Sequence, residues 1–299
     1  MNQQKSICTE AREKTRSRRA AAQVMSFLTL RTAAFINCAA LVIACVFLFV
    51  NGIGALGWDF VFDSPRDMMT SGGVFPCLVG TFLLAAGAIA IALPFGVACA
   101  VWLNEYGKQG PVVDIVRLSV ANLAGVPSIV FGLFGLAFFV TALGFNVSLL
   151  SGILTLAVLT LPVIINTTEE ALKQVPRAWR DASLALGATK SQTIGRIVIP
   201  SALPGILTGA ILAVARAAGE TSAVMFTAAV FYTPKLPESV WSSVMALPYH
   251  MYVLATAGTE IEKTRPMQYG TGLLLVVLVF AMNLVAILIR DKMQKKRLT

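Results

Sequence analysis

The sequence contains little charge, one histidine and no nucleotide-binding loop. Charged residues make up 13% of the 299 residues, and the single histidine is His250. An HExxH pair or a Ser–His arrangement therefore cannot be assembled within this chain, which disfavours an enzyme. Gly107-Lys108 is followed by Gln109, so the G-x-x-x-x-G-K-[ST] phosphate loop is also missing.

Cysteine is sparse, and its spacing has no metal or disulfide pattern. The five cysteines do not form a CxxC pair, and three of them lie inside apolar runs. We expect structural thiols and no metal site. The five are Cys8, Cys38, Cys45, Cys77 and Cys99.

Apolar residues, in contrast, are abundant. They make up 57% of the chain, and the mean hydropathy is +0.76, which is too apolar for a soluble domain and typical of a polytopic membrane protein. The net charge of +9 could suggest nucleic acid, but the basic residues cluster where segments leave the apolar runs. About thirty residues precede the first run, so we interpret it as an uncleaved anchor.

Six runs are long enough to cross a bilayer, which needs about 20 apolar residues. We predict an all-α protein with these spans at about 33–56, 78–103, 118–143, 149–168, 203–230 and 270–289. Pro94 predicts a kink in the second span, and Gly125-Val126-Pro127-Ser128 predicts a packed kink or a cavity-lining break in the third. The segment 231–269 is predicted to be external, and either interfacial or partly re-entrant.

The distribution of Lys and Arg tests this topology. The four segments predicted to be inside hold 19 of them, and the outside segments hold four. This asymmetry satisfies the positive-inside rule with both termini cytoplasmic. The basic tails are then 1–31 and 291–299.

One long polar segment, 169–200, separates the fourth and fifth spans. Val175, Trp179, Ala182 and Leu186 recur at helical spacing, and Gly187 can stop that helix. Thr189 with Gln192 is a capping-box signal for a second short helix, which we predict Pro200 ends. Two readings remain: amphipathic helices lying on lipid, or a platform for another protein.

The segment also resembles a known motif. Asp181-Ala182-Ser183, three residues, Gly187, nine residues and Ile197-Val198-Ile199-Pro200 look like the EAA loop of ABC importer permeases, EAA-x3-G-x9-I-x-L-P. Asp, Ser and Ile replace Glu, Ala and Leu at three positions. In that family the loop is a cytoplasmic coupling helix that docks into the ATPase subunit.

Further stretches resemble the phosphate branch of these permeases. They are GGVFPCLVGTFLL, VPSIVFGLFGLAFF, LPVIINTTEEALKQVP, LALGATKSQTI and ALPGILTGAILAVARAAGETSAVMFTA. The resemblance covers about 72–290, a transmembrane type-1 domain, and leaves 32–71 as the first span with its external loop. It implies the type I (MetI-like) importer fold and the bacterial inner membrane. The implied partners are a PstC-like second permease, a PstB-like ATPase dimer that uses ATP and Mg, and a periplasmic PstS-like phosphate-binding protein.

Arg216 and Glu220 are the candidate substrate residues. Arg216 lies about 18–20 Å from the inner end of the fifth span, near the predicted midplane. A charge there costs about 2.5–3.5 kcal/mol, so it should face a cavity or a partner. The i,i+4 spacing places both charges on one helix face, within reach of each other. Arg216 could then bind phosphate oxygens while Glu220 accepts a proton, or the two could form a structural ion pair.

Two further groups of residues flank this pair. Asn166, Thr167 and Thr168, with Glu169 and Glu170, either line the inner mouth of the path or cap the fourth span. Gly205, Gly209, Ala213 and Ala217 form a small-residue stripe that permits close helix packing, within the chain or against the partner permease.

The predicted function is therefore a phosphate ABC importer permease that works by alternating access and binds no cofactor itself. Two alternatives remain open. A permease for molybdate or sulfate would use the same parts, and a secondary anion transporter would explain Arg216 but not the docking loop.

Overall fold

A computed structural model describes residues 2–107, 110–257 and 261–298. The chain divides into two compact units, 1–51 and 52–299. The first unit is a single helix, α1 (Asn2–Gly52), which contains an exposed apolar stretch long enough to span a membrane. The helix begins well before the predicted span and includes the basic tail.

The second unit opens with a short loop motif in the segment predicted to be external. It comprises a 3-10 turn (Ile53–Ala55), α2 (Trp58–Phe62), β1 (Pro65–Arg66), a 3-10 turn (Asp67–Met69) and β2 (Ser71–Gly72). The two strands pair antiparallel. Gly72 has φ +86, and a Cβ there would lie 2.9 Å from the backbone N of Arg66, so glycine is required.

The centre of the unit is built from three long helices. They are α3 (Phe75–Val101), which continues as a π-helical turn (Trp102–Tyr106), α6 (Leu149–Lys173) and α9 (Ile199–Ala218). α6 packs against both of the others, and its apolar stretch is more buried than that of the other candidate membrane helices in the described ranges. Small residues such as Ala88, Ala92 and Ala213 lie in these contacts and let the backbones approach.

The third span is broken rather than kinked. α4 (Pro111–Gly125) and α5 (Ser128–Gly135), which continues as a π-helical segment (Leu136–Ala142), meet at an angle of 103°. Pro127 disfavours helical geometry at Val126, whose φ and ψ are −72° and 131°. The sequence predicts a kink or a cavity-lining backbone site at this position, and the structure has a sharp turn there.

The fourth span is longer than predicted. Ser148 caps α6 by accepting a hydrogen bond from Ser151 N at 3.2 Å, and the helix continues to Lys173. The proposed capping role for 166–168 is therefore wrong, because these residues lie inside the helix. Their alternative role at the mouth of the path stays a prediction.

The polar segment folds as the predicted helix–turn–helix. α7 (Arg177–Ala185) follows Pro176, and α8 (Lys190–Thr193) begins with the predicted capping box of Thr189 and Gln192. The prediction that Pro200 ends the second helix is wrong. A π-helical turn (Ile194–Val198) leads directly into α9, where Pro200 occupies the first turn and its missing N–H costs little.

The fifth span is also interrupted. α9 ends at Ala218, Gly219 is its C-cap, and α10 (Ser222–Thr227) starts after a break. The predicted continuous helix over 203–230 is therefore wrong. α11 (Leu247–Thr256) follows in the segment predicted to be external, and α12 (Ile261–Leu298) starts inside that segment and extends the sixth span at both ends.

Within the described ranges, five helices are long and apolar enough to cross a membrane. The number becomes six if α4 and α5 count as one broken span. The protein is therefore an all-α polytopic membrane protein, as its sequence predicts.

Candidate functional site

The loop between α6 and α9 exposes large apolar side chains. Trp179, Leu184 and Leu186, which we call the docking face, are 52%, 47% and 89% exposed. Val175, predicted to share this stripe, is instead buried against Leu172 of α6. Val175 therefore anchors the loop, and the three exposed residues form a separate apolar face that the described part of the chain does not cover.

The residues of the EAA-like motif divide into exposed and structural positions. Asp181 and Ala182 are exposed beside the docking face. Ser183 is buried, and its Oγ lies 2.9 Å from Thr193 Oγ1, which joins α7 to α8. Ile197 and Pro200 are half-buried where the loop enters α9.

Gly187 closes α7 with a Schellman motif. Its φ is +85°, its N donates to Leu184 O at 3.0 Å, and Ala188 N donates to Ser183 O at 3.2 Å. A Cβ on Gly187 would meet no atom within 4 Å. Backbone conformation, rather than space, therefore favours glycine at this position.

A cavity of about 280 Å³ opens between α4 and α6. Glu169 lies in it almost completely buried, with Oε1 2.9 Å from Arg117 Nη2 and 3.2 Å from Lys173 Nζ. Neither contact has the alignment of a hydrogen bond. Leu103, Val120, Ile165, Asn166 and Glu170 complete the lining.

Of the five residues predicted at the mouth of the path, Asn166, Glu169 and Glu170 line this cavity, and the two threonines do not. Thr167 is half-buried and donates to Val163 O at 2.8 Å, and Thr168 is completely buried. A Cβ added to Gly209 would collide with Thr167 Oγ1, which shows how closely α6 and α9 approach. The small-residue stripe therefore packs within this chain.

Arg216 and Glu220 are separated by the end of α9. Arg216 is half-buried in the last helical turn, where a cation interacts favourably with the helix dipole. Glu220 lies beyond the helix, and its Oε1 accepts from Ser222 N at 3.1 Å and Ala223 N at 3.5 Å. The prediction that both charges share one helix face is therefore wrong. In the described part of the chain no ion pair joins them, so the structural-pair interpretation also fails.

Sequence reasoning missed the contacts that anchor the loop. Arg180 forms a two-pronged ion pair with Glu105, with Nη2 2.7 Å from Oε1 and Nε 3.3 Å from Oε2. The same guanidinium donates to Val175 O at 2.6 Å and Leu172 O at 3.0 Å. The only sequence signal for this contact is Glu105, a single acidic residue at the end of an apolar run.

The fold is that of type I ABC importer permeases. A chain of the MetNI methionine ABC transporter aligns over 74% of this chain and 94% of its own, with a TM-score of 0.55 and 22% identity. A chain of a bacterial alginate ABC transporter aligns over 91% and 94%, with a TM-score of 0.62 and 14% identity.

Sequence comparison then gives the family. Residues 92–298 match the binding-protein-dependent transport system inner membrane component, and the chain belongs to this family. A probable ABC transporter permease protein, YqgI of Bacillus subtilis, is 33% identical over 86% of this chain and 92% of its own. The phosphate transport system permease protein PstA 1 of Mycobacterium tuberculosis is 39% identical over 76% of this chain and 73% of its own. The protein is thus a multi-pass membrane permease subunit.

Proposed function

We propose that this permease carries inorganic phosphate into the bacterial cell as part of an ATP-driven importer. The observation that carries the choice of cargo is its 31–39% identity to several phosphate transport system permeases over most of their length. The fold by itself supports many cargoes, so the cargo must be argued from the relatives and from the site.

The docking face supports the ATP-driven part of the proposal. Trp179, Leu184 and Leu186 lie on the loop that connects α6 directly to α9. A PstB-like ATPase dimer would cover this apolar face and supply ATP and Mg, which this chain does not bind. A PstC-like permease and a periplasmic PstS-like protein complete the assembly. The positive-inside charge distribution supports a cytoplasmic location for the loop and both termini.

Arg216 is the residue we assign to the anion. Its guanidinium has no ion-pair partner in the described part of the chain, and it ends a helix in the apolar part of the molecule. A planar fork of donors suits two oxygens of a phosphate. Glu220, placed beyond the helix end by its bonds to Ser222 and Ala223, would accept the proton of hydrogen phosphate and repel fully ionised sulfate.

The transport cycle follows the alternating-access scheme. ATP binding closes the ATPase dimer, and the loop transmits this movement to α6 and α9. Phosphate passes between the two permeases near Arg216. Asn166, on the wall of the cavity between α4 and α6, is the predicted polar contact on the inner side.

The test uses the complete complex in proteoliposomes. We expect phosphate-loaded binding protein to stimulate ATP hydrolysis and uptake, and sulfate and molybdate to have little effect. Stimulation by molybdate or sulfate instead would favour the other oxyanion permease. Uptake that proceeds without ATP or an ATPase subunit would refute the proposal and favour a secondary anion transporter.

A further inference from the structure

The loop 174–198 contacts the end of α3, a helix to which it is not directly connected in the sequence. The chain connects the loop covalently to α6 and α9, whereas Glu105 belongs to the π-helical end of α3, 75 residues before Arg180. A contact between the two is therefore a link to a third span. Movement of the loop can reach α3 through it without passing through α6 or α9.

The Arg180–Glu105 ion pair has the geometry of a firm link. The side chains of Arg180 and Glu105 are only 17% and 8% exposed, and two separate nitrogen–oxygen contacts hold the planes together. Water screens such a pair much less than a surface pair. Its two prongs also fix orientation, which a single contact does not.

The guanidinium is held from the other side as well. Its bonds satisfy the carbonyl of Leu172 in the last turn of α6 and the carbonyl of Val175 just beyond that helix. One side chain of α7 therefore contacts the ends of both α6 and α3. The two carbonyl bonds already anchor α7 to α6, so the bonds to Glu105 add a connection that anchoring does not require.

A second contact joins the same two segments. Lys190 Nζ, at the start of α8, lies 4.9 Å from the centre of the Tyr106 ring. Tyr106 is the last residue of the π-helical turn that contains Glu105. Both helices of the loop therefore contact the same turn of the second span, α7 through Arg180 and α8 through Lys190.

We propose that Arg180 is a positioning residue for transport, which passes the movement of the coupling loop to α3 through the carboxylate of Glu105. The inference rests on the proposed function for its readout, because it concerns the coupling of ATP hydrolysis to cargo movement. In this proposal, movement of the ATPase reaches the second span directly through the loop.

The experiment measures cargo imported per ATP hydrolysed in proteoliposomes that contain the complete complex. Variants are Glu105→Gln, Arg180→Gln, Arg180→Lys and the double Gln variant. We expect the ATPase to co-purify normally, because the docking face is unchanged. The ratio should fall about tenfold in each single variant, in the range of ordinary coupling energies. Arg180→Lys should also fail, because an ammonium cannot reproduce the fork.

The double variant separates a shared link from two independent defects. If Arg180 and Glu105 act as one unit, the double variant should have the ratio of the single variants, whereas independent effects would multiply to about a hundredfold. Arg177→Gln is the matched control, since it removes an exposed arginine from the same helix. Normal ratios in Glu105→Gln, a multiplicative double variant, or an equal defect in Arg177→Gln would each overturn the proposal.

Two further arms keep the test decisive. Arg180→Gln could disturb folding because it loses the carbonyl bonds, but Glu105→Gln keeps them and decides the matter alone. If the wild-type complex imports a different oxyanion, the proposed cargo is wrong, and the same ratio is then measured with that oxyanion. If it imports none, stimulation of ATP hydrolysis by the binding protein replaces the ratio, and undiminished stimulation in Glu105→Gln overturns the proposal.

Discussion

Substitution of Gly187 should weaken ATPase binding through the backbone alone. The residue has φ +85°, and a Cβ there would meet nothing within 4 Å, so steric collision contributes no penalty. An L-residue in this conformation costs about 1–2 kcal/mol. If that cost opposes the docked shape of the loop, Gly187→Ala should reduce affinity for the ATPase by up to about 5–30-fold.

The order of the variants is the sharper part of this prediction. Asn tolerates the left-handed region, so Gly187→Asn should lose little, whereas a β-branched Gly187→Val should lose most. Gly195 is the control, because it also has open space around it but no positive φ. Titration of the ATPase onto the permease in nanodiscs measures each affinity. Equal losses for Asn and Val, or no loss for Ala, would refute the backbone explanation.

Three other predictions concern the membrane path, the helix packing and the buried histidine of α11. Arg216→Gln should assemble normally with the ATPase yet abolish uptake, so normal uptake by the correctly inserted variant would contradict the anion role. Gly205→Ala would collide with Ala171 and should destabilise by about 1–3 kcal/mol, and adding Ala171→Gly should restore much of the thermal stability. Burial lowers the pKa of His250 from 6.5 to about 4, so the folded state favours the neutral imidazole. This residue therefore leaves the free energy of unfolding undiminished above pH 6.5 and lowers it as the pH falls towards 4. Between pH 7 and pH 5 the loss should be about 2 kcal/mol, and His250→Leu should flatten the pH dependence of unfolding.

Local signals predicted the loop well. The capping box of Thr189 and Gln192 and the αL position of Gly187 depend on residues three to five apart, and the structure has both. The prediction for Pro200 is wrong because a proline ends a helix when it lies in the interior but is tolerated in the first turn. The sequence alone does not distinguish the two positions.

The errors at the candidate substrate residues have a similar origin. Periodicity continued the fifth span through Gly219, and the i,i+4 argument for Arg216 and Glu220 depended on that continuity. Gly219 followed by Thr221 and Ser222 was a readable signal for a helix end and a new start. The prediction followed apolar composition instead, because the residues on both sides of Gly219 are equally hydrophobic.

Long-range contacts left no signal of this kind. Glu105 and Arg180 are 75 residues apart, and each alone looks like a charge at the end of a span. The 103° turn between α4 and α5 was likewise predictable in position but not in angle. α5 packs chiefly against α10 and α6, and the local sequence around Pro127 does not specify these contacts.

The close packing of α6 and α9 has a consequence for protein engineering. Ala171 against Gly205 and Thr167 against Gly209 fix the separation of the two helix ends from which the loop departs. A foreign segment grafted between residues 174 and 198 would start and finish at the same two points. Permeases of this architecture should therefore accept exchanged loops as cassettes, provided that the graft keeps the arginine that contacts Glu105. Such a chimera could be made to recruit the motor of another transporter while its membrane helices keep their own cargo.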